Sequence, residues 1–194
     1  MKKILNNRLL TTLIILLFIS FILGILFIAI LSKTDKQLIK DNLSLYFSNL
    51  NKLNYTKGII NSITSNYLYL LIILILSFSI IGIPIIICIL LLKGFLLGLS
   101  ISSIIYYYKF KGILIAIIYV IPLIINLFLI FILSYYGIKV SNYLIKTLFY
   151  KKSTNIKYIT KKYIKLFLMA SIIEMISCTI EIFLIPNLFK LLQI

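Results

Sequence analysis

The chain has 194 residues, 62% of them hydrophobic, with a mean hydropathy of +1.16 and a formal net charge of +16. These values exclude a soluble globular domain and describe an integral membrane protein with one domain's worth of residues. The positive charges adjoin apolar stretches, so anionic membrane lipids are the expected counterpart and nucleic acid is not.

Taken in order, Lys2, Lys3 and Arg8 precede an apolar run from Leu9 to Leu31. Its length suits a tilted membrane span and exceeds the core of a signal peptide, so it reads as a retained anchor, and the basic start places the N-terminus in the cytoplasm. Ser20 and Gly24 form a small-xxx-small patch on this span. Residues 32–66 form a polar segment on the outer side. Ile39, Leu43, Tyr46, Phe47, Leu50 and Leu53 recur in it at helical spacing. We expect an amphipathic helix on the outer membrane surface, packed on its own bundle or docked on a partner.

Residues 67–108 are an apolar block that would reach about 63 Å as one helix, roughly twice the hydrocarbon thickness. Two passes are therefore predicted, with a turn at Gly82–Pro84 or at Lys93–Gly94. We favour Lys93, because a cytoplasmic lysine there obeys the positive-inside rule. The predicted spans are then 67–92 and 94–108, with Gly82-Ile83-Pro84 kinking the first. Gly94, Gly98 and Ser102 lie four apart on one smooth helix face, which invites a second backbone. Together with Gly82 and Pro84 they are the candidate packing and partner interface, and a homo-oligomer is compatible with such a face. Tyr106, Tyr107 and Tyr108, followed by Lys109 and Lys111, mark a helix end at the interface.

The fourth span is 113–138, with Pro122 and Asn126 one turn apart inside it. The proline frees a carbonyl, and the asparagine can donate to it or to a neighbouring helix. Residues 139–165 carry eight lysines and no acid, the strongest sign of a cytoplasmic segment. The last span is about 166–190 and leaves the C-terminus outside. Glu174 and Glu181 share one face of it, seven apart, with Cys178 beside them. A charged group so deep must be paired or neutral, and Lys93 is a partner within reach only if it lies below the interface.

Catalytic chemistry finds little here. With no histidine in the chain, the usual zinc ligands and a Ser-His-Asp site are missing. Cys88 and Cys178 lack metal-ligand spacing and read as packing. No phosphate loop is visible. The expectation is an all-α, polytopic, five-span protein with no catalytic residue, metal or cofactor. The intramembrane polar residues are Lys93, Asn126, Glu174 and Glu181. Against a non-catalytic reading stands a transporter or permease subunit that uses Glu174 and Glu181 for a proton or cation.

The words Ile81-Gly-Ile-Pro84, Lys93-Gly-Phe-Leu-Leu-Gly98 and Lys111-Gly-Ile-Leu114, with Glu181 and Pro186 in the last span, resemble the stage II sporulation protein M family. Length, five spans, the long first outer loop and the basic cytoplasmic segment fit as well. One departure lies in the fourth span, where the family tends to have Pro-Gln-Asn and this chain has Pro122-Leu123-Ile124, with Asn126 further on. The resemblance implies a scaffold without enzymatic activity in the mother-cell membrane of an endospore former. Such a scaffold recruits two peptidoglycan-degrading partners, the sporulation D and P proteins, during engulfment.

Overall fold

The computed structural model describes residues 2–50, 55–150 and 156–191, and the side chains of 8–45, 63–149 and 157–183. Every described element is a helix: α1 Lys2–Ile30, α2 Lys33–Leu50, α3 Tyr55–Ser77, α4 Gly82–Tyr150 and α5 Ile156–Leu191. Arg8–Ile30, Gly82–Phe149 and Lys157–Phe183 are long and apolar enough to cross a membrane, and Ile63–Ser77 is a shorter apolar helix. The chain is an all-helical membrane protein. The side chains expected of Tyr46, Phe47, Leu50, Leu53 and Pro186 lie outside the described residues.

Helix α4 has 69 residues and would extend about 104 Å if straight. It folds back instead. Lys109 is its one non-helical residue, with φ 50° and ψ −125°. Beyond it, Ile115 and Ala116 cluster with Ile104, and a Cβ on Gly112 would strike the Ile104 carbonyl. Residues this far apart in a straight helix never meet. The helix is therefore a tight hairpin of two arms, 82–108 and 110–150. Gly112 has no side chain because the backbone of the first arm passes where one would be.

The turn expected at Lys93 is a correction. Helix α3 ends at Ser77, and residues 78–81 form the reversal. Short backbone bonds close it, from Phe78 N to Ile75 O at 3.1 Å and from Gly82 N to Ser79 O at 3.2 Å. A Cβ on Gly82 would overlap the Leu76 carbonyl, so the tight return needs glycine. Pro84 is the third residue of α4, in the first turn, where a missing N–H costs no hydrogen bond. Gly82 and Pro84 thus start a helix and do not kink one. The predicted spans 67–92 and 94–108 give way to α3 and the first arm. Lys93 sits eleven residues into that arm, about 16 Å from its start.

The second arm continues to Tyr150, and α5 begins at Ile156. The basic segment predicted at 139–165 is therefore largely helix, with Lys151 and Lys152 outside the described residues. The Ser141 hydroxyl donates to the Ser79 carbonyl at 2.6 Å, which joins this segment to the 78–81 turn. We call this the basic end of the bundle, and the opposite one, with α2 and Lys109, the far end.

Ser32 caps α2. Its Oγ accepts from the Asp35 amide at 3.2 Å and donates to the Asp35 carboxylate at 2.6 Å, a reciprocal cap that also sets an acid against the positive helix start. The Tyr107 hydroxyl donates to the Lys36 carbonyl, and Leu43 packs on the Ile104 cluster. These contacts lay α2 across the hairpin at the far end. The main core lies toward the basic end, around Leu70, Ile73, Ile86, Leu90, Ile130 and Leu133.

Candidate functional site

Two features account for the residues singled out in the sequence. The first is the small-residue face. Gly94 abuts Leu17 and Ser20 of α1, and Gly98 abuts Phe21 and Ile25. Gly24 of α1 returns the contact against Phe95 and Leu99. The pairs advance in the same direction along both helices, so α1 and the first arm run parallel with their backbones nearly touching. The face offered to a partner is filled by α1 of the same chain. Ser102 is half-buried, its hydroxyl donating to Leu99 O of its own helix at 3.1 Å. Ser20 joins the face, although nothing but its four-residue spacing from Gly24 announced it.

The second feature is a polar cluster among α3, both arms of α4, and α5. Glu174 is 2% exposed. Its Oε1 accepts from Asn126 Nδ2 at 2.7 Å and lies 3.8 Å from the Cys178 sulfur. Its Oε2 is buried with no hydrogen-bond donor among the described residues. Asn66 of α3 donates to Glu181 Oε2 at 3.5 Å and reaches the Cys178 sulfur at 3.9 Å. Lys93 interacts electrostatically with both glutamates, and its amine stands 3.9 Å from the centre of the Tyr69 ring, a cation–π contact. Pro122 lies one turn from Asn126, and its carbonyl accepts from Ser177 of α5 at 3.4 Å.

The structure thus joins Lys93, Asn126, Glu174 and Glu181, which the sequence placed on three separate segments. It adds Asn66 and Tyr69. Asn66 had read as the last residue of a polar segment. The signal for Asn66 was its place at the border of an apolar run, where one helical turn carries it inside. Among the described residues, no group of three or more His, Cys, Asp or Glu side chains is arranged to hold a metal ion.

A smaller polar contact ties the helices at the basic end. The Ser77 and Tyr163 hydroxyls are 2.7 Å apart, and Ser77 also reaches Ile73 O at 2.6 Å. A Cβ on Gly137 would strike the Ser77 hydroxyl, so the second arm closes over this contact.

Residues 13–186 match the family model described as stage II sporulation protein M. The chain belongs to that family. No curated protein and no solved structure matches it. The match takes in the small-residue face, the hairpin and the whole polar cluster, so the family pattern covers both features.

Proposed function

We propose that the protein is a non-catalytic membrane scaffold of the engulfment machinery in endospore formation. The observation that carries this reading is the family match over residues 13–186. The resemblance implies recruitment of the sporulation D and P proteins, which cut peptidoglycan, to the mother-cell membrane as it moves around the forespore.

In this reading the chain crosses the membrane five times, by α1, α3, the two arms of α4, and α5. The basic end carries Lys139, Lys146, Lys157, Lys161, Lys162 and Lys165 and faces the cytoplasm. The N-terminus is then cytoplasmic and the C-terminus outside. The far end, with α2, faces the space where a wall-degrading enzyme works.

Because α1 fills the glycine face, partners dock elsewhere. Helix α2 half-buries Leu43 on the hairpin, yet leaves Leu38 and Leu45, seven apart, 61% and 58% exposed. This stripe is the surface we assign to a partner helix.

The test is affinity capture of the tagged protein from sporulating cells. Peptidoglycan-degrading membrane proteins are expected in the eluate, and their absence under conditions that retain the folded protein would overturn the scaffold reading. Ion flux through liposomes containing the purified chain alone, removed by Glu174→Gln, would replace it with the transport reading.

A further inference from the structure

Two cavities share Ser100 as a wall. The larger, about 260 Å³, lies between α2 and the hairpin; its lining is mostly apolar, with Asn42, Ser100, Ser103 and Tyr119 as its polar members. The smaller, about 50 Å³, lies between the arms and is bordered by Lys93, Ser100 and Asn126. A water needs about 10–15 Å³ and two to four polar partners, and both cavities meet that requirement. The Ser100 and Ser103 hydroxyls donate to carbonyls of their own helix, at 2.8 and 2.6 Å, and keep lone pairs to accept from water.

The route ends on chemistry. Asn126 borders the smaller cavity and holds Glu174 Oε1 at 2.7 Å, while Glu174 Oε2 is buried with no donor among the described residues. Toward the basic end the way is blocked by the main core, including Leu90, Leu129, Ile130 and Leu133, and by the Ser77–Tyr163 contact. The groups that act on Glu174 are Lys93 from the first arm, Asn126 from the second, and Cys178 and Glu181 from its own helix, while Asn66 and Tyr69 of α3 contact Glu181 and Lys93 in turn. One amine stands against two carboxyl groups. A cluster within the hydrocarbon is neutral when one of those carboxyls carries a proton.

We infer that the groove beneath α2 is a water-filled vestibule, open at the far end only, through which Glu174 takes up and releases a proton. The proton comes from water at the far end and binds Glu174 Oε2, which turns from an acceptor lacking a donor into a donor. On release it returns to the same water, and no other bond changes. The site goes beyond the scaffold reading and needs only the hairpin and the cover of α2.

The test uses cysteine labelling with a charged thiol reagent that does not cross membranes, in a Cys88→Ala background. Lys109→Cys marks the far end, Ser100→Cys the vestibule, and Leu92→Cys the lipid-facing surface. Intact cells and inverted vesicles are both labelled, so that whichever exposes Lys109→Cys exposes the far end. In that preparation Ser100→Cys should react at least about tenfold faster than Leu92→Cys, since hydrocarbon excludes a charged reagent. Equal rates would overturn the vestibule whatever the orientation of the chain. Infrared difference spectra on shifting the pH at the far end should show a carboxyl carbonyl band that Glu174→Gln removes and Glu181→Gln retains. Lys109→Cys labelling confirms that each variant is inserted. A missing band, or one that follows Glu181, would overturn the assignment to Glu174.

Discussion

Asn126 and Glu174, 48 residues apart in the chain, meet at 2.7 Å in the interior of the bundle. The bond ties the second arm of α4 to α5 and satisfies one oxygen of a carboxyl group that is almost wholly buried. A buried acceptor that loses its donor forfeits about 1–3 kcal/mol. Asn126→Ala should therefore lower the thermal midpoint in detergent clearly, while Glu174→Gln, which keeps an acceptor oxygen for Asn126, should change it little. Similar midpoints for the two variants would show that the bond contributes nothing.

Lys93 and Glu174 should behave as a coupled pair. Lys93→Met leaves two carboxyl groups without their amine and is expected to destabilise the protein. Adding Glu174→Gln should cost less in the Lys93→Met background than in the native chain, a non-zero coupling in a double-mutant cycle that stays small enough for Glu174→Gln alone to shift the midpoint little. Strictly additive effects would mean that the amine answers only to the Tyr69 ring and not to the glutamate.

Gly98→Leu tests the parallel packing of α1 on the first arm. The new side chain would run into the Phe21 carbonyl, and overpacking of this kind costs about 1–3 kcal/mol. Gly24→Leu should do the same from the other side, and the two together should exceed either alone. Melting curves in detergent read this directly. A partner lost from either variant would report a disturbed bundle rather than a damaged docking surface, because the face is internal.

Lys109→Gly should stabilise the hairpin. A non-glycine residue at positive φ carries a penalty of about 1–2 kcal/mol, which glycine escapes. Glycine also adds freedom to the unfolded chain, so the net gain is expected to stay below that figure. A lower melting temperature for Lys109→Gly would show that the lysine side chain contributes more at the tip than its backbone costs.

Leu38→Asp with Leu45→Asp addresses the partner surface on α2. Both side chains are exposed, so the melting temperature should hold within about 0.5 kcal/mol of equivalent stability. Capture of peptidoglycan-degrading partners should fall sharply. Unchanged capture would remove α2 as the docking element and leave the scaffold reading itself standing.

Some of this was legible without coordinates and some was not. The apolar runs, the lysine-rich segment and the Gly94–Gly98 spacing are local patterns, and hydrocarbon thickness turns such patterns into helices. Family membership was legible too, in short words such as Ile81-Gly-Ile-Pro84. The turn was misplaced because Lys93 obeyed a statistical rule about charge, whereas Gly82 and Pro84 met a geometric need, room beneath the Leu76 carbonyl and a helix start without an N–H.

Apolar run lengths, charge placement and family identity follow from the order of residues alone, since each depends on neighbours in the chain and on the solvent around them. Which face of the first arm α1 covers, and the meeting of Lys93, Asn126, Glu174 and Asn66, were decided only when five helices packed. A buried polar group needs a partner of the right shape within about 3 Å. Separations of 48 or 115 residues in the chain carry no trace of which pairs will come that close.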